Sequence, residues 1–106
     1  MKGITRKEEM ILMAILNLGP RAYLVSITDY LSDVLHEKMT ITSVHLPLNR
    51  MEQQGLIDSS LGEATAVRGG RRKRIYRITK TGHAALEEYK RIHDVLWSRF
   101  SESTSE

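Results

Sequence analysis

Seven residues, Arg72 to Ile78, alternate as no other part of this chain does. Arg74, Tyr76 and Ile78 fall on one side, and Lys73, Ile75 and Arg77 on the other. That is the period of a β-strand. The ten residues before it, 61 to 70, hold three glycines. Before those, Leu56-Ile57 begins a strand that runs out into Asp58-Ser59-Ser60. Two strands around a glycine-bearing loop make a β-hairpin, and the remaining patterned segments have helical spacing. The 106 residues suffice for one domain with one core and are too few for two. The chain is therefore expected to be mainly α with a small β-hairpin.

The helices are delimited by their punctuation. Thr5-Arg6-Lys7-Glu8 has the spacing of a capping box, and Gly19-Pro20 closes the segment. Between them Met10 to Leu16 is apolar around the whole circumference, so this helix needs cover on more than one side. A second helix of the same chain or a second chain can supply it. The next helix starts at Ser26-x-x-Asp29, carries Ile27, Tyr30, Leu31, Val34 and Leu35 as its stripe, and ends near His36-Glu37. Met39-Thr40-Ile41 reads as a short strand. Thr42 caps a third helix, 42–54, that stops at Gly55, with Val44, Leu48 and Met51 inward. A last helix follows Thr79 or Thr81. Its seam of Leu86, Tyr89, His93, Leu96 and Phe100 is spaced 3, 4, 3 and 4, with Ile92 and Val95 as shoulders. SESTSE at the end is polar and is expected to be a disordered tail. The divisions are thus 1–81, 82–100 and 101–106.

Charge is distributed unevenly. Residues 1 to 55 hold six Lys/Arg against six Asp/Glu, whereas Ala64 to Leu86 hold seven cations and no acid. A stripe of one sign inside a nearly neutral chain is the footprint of an anion-rich partner. Nucleic acid is the commonest, and a basic hairpin directly after a short amphipathic helix suits it. A helix inserted in the major groove and a hairpin lying beside it would both face the same duplex. The link from Glu37 to Ile41 has room for the small strand of a winged helix. The fold expected is a winged helix-turn-helix with an added C-terminal dimerisation helix.

These residues closely resemble the PadR-like transcriptional regulators. The likeness runs through Arg50-Met51-Glu52-Gln53-Gln54-Gly55-Leu56-Ile57, Gly62-Glu63, Arg68 to Thr79, and Gly82-His83-Ala84-Ala85-Leu86. The opening Glu8-Glu9-Met10-Ile11-Leu12-Met13-Ala14-Ile15-Leu16 is similar too, so it covers roughly residues 5 to 98. The resemblance implies a bacterial winged-helix homodimer that represses transcription and is often released by a small ligand. Its dimer contacts would come from the first and last helices: Met10, Met13, Leu86, Tyr89, His93, Leu96, Trp97 and Phe100. Trp97 either stacks on a flat aromatic effector between the subunits or packs on the partner's first helix. The chain departs from the family pattern at Tyr23-Leu24, where Tyr-Gly is usual, at His45, where a tyrosine is usual, and at Pro47, one place late. Pro47 cannot donate to the Ser43 carbonyl, so a bent or 3₁₀-like first turn is expected.

With Val44, Leu48 and Met51 inward, Thr42, Leu46, Asn49 and Gln53 face outward, flanked by Ser43, His45 and Arg50. Asn49 or Gln53 suits adenine, and Leu46 suits a thymine methyl. Arg50 either reaches a phosphate or pairs with a carboxylate at the core edge. In the wing, 61–77, Arg71, Arg72 and Lys73 are the leading candidates for phosphate or minor-groove contact. Arg68, Arg77 and Lys80 would neutralise phosphates. Twofold symmetry places half-sites ~34 Å apart, or a multiple, on a pseudo-palindromic operator in double-stranded DNA.

Other chemistries find less support. There are no cysteines, and His36, His45, His83 and His93 form no i, i+4 pair, so neither a metal site nor a cofactor is expected. Gly69-Gly70 lacks the spacing of a phosphate-binding loop, the paired glutamates are adjacent rather than opposed, and an enzyme is not expected. The apolar run Met10 to Leu16 is too short to span a bilayer and no cleavage site follows, which points to a cytoplasmic protein with no membrane partner. The rival reading is a winged-helix interaction module whose basic wing binds an acidic protein. Single-strand RNA binding would need a free aromatic platform, whereas Tyr76 and Tyr89 are committed to core and seam.

Overall fold

The computed structural model describes residues 3–62 and 72–104. Its elements run α1 (Arg6–Leu18), a 3₁₀ turn (Gly19–Arg21), α2 (Leu24–Leu35), α3 (Ile41–Gln53), β1 (Ile57–Leu61), β2 (Arg74–Ile78) and α4 (Lys80–Thr104).

The capping box at the start of α1 forms as its spacing predicts. The Thr5 hydroxyl accepts from the Glu8 amide at 3.1 Å, and the Glu8 carboxylate accepts from the Thr5 amide at 2.8 Å. Gly19 ends the helix at φ +58°, where a side chain would be strained. Ile11, Leu12, Ala14 and Ile15 are buried, but Met13 and Leu16 remain 43% and 41% exposed. The chain's own helices therefore cover only part of α1.

From the start of α2 to the start of α3 the chain differs from the sequence expectation in three places, each because a hydroxyl takes a backbone amide. Helix α2 begins two residues before Ser26, whose hydroxyl accepts from the Tyr23 amide at 2.9 Å from within the first turn. The expected strand at Met39-Thr40-Ile41 does not form. The Met39 amide is taken by the Ser32 hydroxyl at 2.9 Å, and Thr40, not Thr42, caps α3 through the Ser43 amide at 3.1 Å. Thr42 thus lies in the first turn. Pro47 does not produce a 3₁₀ start, because α3 is α-helical from Ile41 onward with the proline ring buried among the core residues. The left-handed His36, φ 53°, closes α2, and Val34 at its end faces solvent rather than the core.

Val44, Leu48 and Met51 are fully buried with Ile11, Leu12, Ile27 and Ile57. Each contributes ~1.5–3 kcal/mol of apolar transfer. Strands β1 and β2 pair antiparallel, Ile57 with Ile78 and Leu61 with Arg74, and the Tyr76 amide donates to the Ala22 carbonyl at 2.8 Å. That bond ties the hairpin to the turn between α1 and α2. Of the two candidate caps for α4 it is Thr79 that serves, its hydroxyl accepting from the Gly82 amide at 3.0 Å. Only the first turns of α4 join the core, through Ala85 and Leu86, and residues 91 to 100 are all exposed. The helix continues through 101–104, where the sequence suggested a disordered tail; Lys80 and Thr81 belong to it as well.

Candidate nucleic-acid interface

Helix α3 turns its buried stripe inward, so its other side is fixed by the 3.6-residue period. Thr42, His45, Leu46, Asn49 and Gln53 are exposed on that side and Ser43 is half-exposed. Asn49 and His45 are one turn apart, and the amide nitrogen Nδ2 lies 3.1 Å from the imidazole Nε2. Arg50 leans toward the core-edge carboxylate, its Nε 4.0 Å from Oε2 of Glu8, itself only 5% exposed. Of the two readings left open for Arg50, this geometry follows the carboxylate one.

The hairpin stands beside this helix. Glu52 on α3, Ser59 on β1 and Arg74 on β2 form a chain across three elements. The Ser59 hydroxyl donates to the Glu52 carboxylate at 2.6 Å and accepts from Arg74 Nη1 at 3.0 Å. Beneath them Tyr76 is buried. Desolvation raises its phenol above the ordinary range, the nearby Glu52 charge reinforces the rise, and Arg74 opposes it. Arg72 and Lys73 are exposed just before β2, and Lys80 is exposed at the start of α4. Arg77 pairs with its cross-strand partner Asp58 at 3.4 Å, which takes up part of the charge expected to face phosphate. Arg68 and Arg71 lie outside the described residues.

One participant was not anticipated. Lys73 sets its ammonium 4.0 Å from the centre of the Tyr23 ring, a cation–π contact between the wing strand and the residue before α2. Tyr23, His45, Lys73 and Arg74 share the lining of one open cleft, so the wing base and the outer face of α3 meet there. Arg74 was legible as a cation in the basic run. The pairing of Tyr23 with a residue fifty places on had no sequence signal.

The dimer candidates form a second surface. Met10 is half-buried and Met13 exposed on α1. On α4, Leu86 and Tyr89 are half-buried, while Leu96, Trp97 and Phe100 are 61%, 55% and 55% exposed. His93 joins this run: its ring stacks on Tyr89 with centroids 6.2 Å apart, and its Nε2 accepts from the Trp97 indole at 3.1 Å. Trp97 meets Phe100 edge-on at 5.3 Å. Leu16, Ile92 and Val95 add further exposed apolar area. A pocket of about 280 Å³ is lined by Ile4, Ala85, Tyr89, Ile92, His93 and Leu96 among others. Among the described residues no helix is long and apolar enough to cross a membrane.

The fold recurs in solved structures. A transcriptional regulator from Clostridium thermocellum superposes with a TM-score of 0.71 at 20% identity, covering 91% of this chain and 87% of that one. A PadR-like transcriptional regulator from Bacillus cereus gives 0.71 at 23% identity, covering 93% and 91%. BpsR from Bordetella bronchiseptica, whose DNA binding is regulated by 6-hydroxynicotinic acid, gives 0.65 at 18% identity over 91% of this chain and 64% of that one. No curated protein sequence matches this chain significantly. The model of the transcriptional regulator PadR-like family matches residues 11–88, from the buried half of α1 through the wing to the start of the exposed seam. The chain belongs to the PadR-like family of winged-helix, DNA-binding transcriptional regulators.

Proposed function

We propose that this regulator is a cytoplasmic homodimer that binds a pseudo-palindromic operator in double-stranded DNA and represses transcription from it. The observation that carries this reading is the shared cleft at which His45 of α3 meets Lys73 and Arg74 of the wing base. One duplex can then lie against both. In this reading the α3 face reads bases in the major groove, and Arg71, Arg72 and Lys73 grip backbone or minor groove. Arg68, Arg77 and Lys80 add sequence-independent affinity. Met13 and Leu16 on α1, together with Leu96, Trp97 and Phe100 on α4, supply apolar area that a second copy would cover. An effector site between subunits is supported by the pocket beside Tyr89 and His93 and by the ligand control of BpsR.

The test is a titration of the protein against a labelled duplex from upstream of its own gene and against a scrambled duplex, at two salt concentrations. Tight, selective binding is expected, with a loss of ~10³- to 10⁵-fold between about 50 and 200 mM salt if 6 to 10 phosphates are contacted. Weak and equal binding to both duplexes would overturn base reading and favour an acidic protein as the wing's partner.

A further inference from the structure

The contact between His45 and Asn49 has a chemical consequence for base reading, and it rests on the proposal that α3 lies in the major groove. An amide nitrogen donates and never accepts. With Asn49 Nδ2 3.1 Å from His45 Nε2, the imidazole nitrogen must carry its lone pair there, with the ring proton on Nδ1. One N–H of Asn49 is thereby occupied. The other N–H and the carbonyl Oδ1 remain as a donor–acceptor edge, the complement of adenine N7 and N6.

We propose that His45 is a positioning residue for base reading: it sets which edge of the Asn49 amide faces the DNA. Its protonation therefore changes the base preferred. When a proton from solvent binds Nε2, that nitrogen becomes a donor and repels the Asn49 N–H. The amide turns over, and Oδ1 accepts from Nε2–H. The outward edge then presents its donor and acceptor in the reverse order, since Oδ1 keeps a second lone pair. Adenine then meets Oδ1 at its N7 acceptor and an N–H at its N6 amino group, whereas guanine still accepts from that N–H at O6.

The surroundings leave this exchange to the pair itself. Besides Asn49 on its own helix, His45 shares its cleft with Tyr23 from the start of α2 and with Lys73, Arg74 and Tyr76 from the hairpin. Two of these are cations and two are phenols, and among the described residues no carboxylate lines the cleft. Lys73 is turned onto the Tyr23 ring. None of these neighbours offers an imidazolium an anionic partner, so the Asn49 carbonyl is the acceptor it meets.

The experiment is selection of the full chain on a pool of duplexes with a randomised core, at about pH 8 and about pH 5.5, spanning the range in which histidine changes charge. One position in each half-site should favour adenine over guanine by about 5- to 150-fold at the higher pH. That preference should vanish or pass to guanine at the lower pH. His45→Gln can accept the Asn49 N–H but cannot titrate, so it should keep adenine at both values. Asn49→Ala should lose the preference at both. An enriched motif that is the same at both pH values in the wild type would overturn the proposal, and so would persistence of the pH response in Asn49→Ala. A His45 that merely touches phosphate would shift affinity for every duplex alike and leave the motif unchanged, which also overturns it. If no motif is enriched at either pH, it is the underlying base-reading proposal that has failed.

Discussion

Gly82 sits in the first turn of α4, and the space around it decides what a methyl group would do there. A Cβ built on it overlaps the carbonyl oxygen of Leu56 and lies 2.9 Å from Cγ1 of Ile78 and 3.0 Å from the Leu56 carbonyl carbon. The principal neighbour is backbone, so it cannot rotate away. On helix propensity alone Gly82→Ala would gain ~1 kcal/mol. Against this stand ~1–3 kcal/mol for overpacking a tight contact and the two hydrogen bonds that Thr79 makes to the Leu56 carbonyl, from its amide at 3.1 Å and its hydroxyl at 3.0 Å. Weakening those costs ~0.5–1.5 kcal/mol each. The net expectation is a loss of about 2–3 kcal/mol, which corresponds to a melting temperature lower by roughly 10–20 °C. Gly3→Ala, with nothing within 4 Å of the added atom, serves as the neutral comparison. Thermal melts followed by circular dichroism at one protein concentration check this. A Gly82→Ala variant melting at or above the wild type would refute the claimed closeness of α4 to Leu56 and Ile78.

Three further outcomes follow from named contacts. The raised Tyr76 phenol means the fold favours its neutral form. Stability is therefore fully present below the ordinary tyrosine range near ~10 and is lost as pH climbs through and above it. Denaturant midpoints should fall more steeply between about pH 8 and 11 in the wild type than in Tyr76→Phe, and parallel curves would contradict this. Arg71→Ala with Arg72→Ala should weaken binding to specific and random duplexes alike and reduce the salt slope by ~1–2 per subunit, whereas Asn49→Ala should lose ~1–3 kcal/mol of selectivity first. Equal effects of both variants on both DNAs would sink that division of labour. Leu96→Glu places a charge on an exposed position of the seam, so sedimentation should turn a dimer into a monomer without loss of helicity; an unchanged dimer would move the interface elsewhere.

What was legible in the sequence was whatever local chemistry or period decides. The Thr5–Glu8 box, the inward stripe of α3 and the alternation of β2 could be read because each is complete within a few residues. The start of α3 was misplaced because Thr40 and Thr42 are equally good caps in isolation. The choice fell to Ser32, which takes the Met39 amide from the end of α2 and removes the partner that a strand there would need. The contacts that define the candidate site were hidden for a related reason. Glu52–Ser59–Arg74, Arg50–Glu8 and Lys73–Tyr23 each join different elements, and no periodicity within one element encodes which residues meet across two.

Those joins also explain how a chain with so short a sheet holds its two exposed surfaces in a fixed relation. The α3 face is tied to the hairpin by the Glu52–Ser59–Arg74 chain, and the hairpin to the turn just before α2 by the Tyr76 amide on Ala22 and by Lys73 on Tyr23. The seam of α4 is tied to the start of β1 by Thr79, whose hydroxyl reaches the carbonyls of Gly55 at 2.6 Å and Leu56 at 3.0 Å. Gly55 and Leu56 follow directly on α3, so the path from the outer face of α3 to the dimer seam is almost entirely backbone and hydrogen bonds. A hydrogen bond lost along such a path costs ~0.5–1.5 kcal/mol, and the path has no long flexible side chain to absorb a displacement. In the proposed dimer the spacing between two α3 helices would be set at the Gly55–Gly82 corner, so a substitution there should weaken DNA binding, read by titration against a labelled duplex, without touching a residue proposed to face bases.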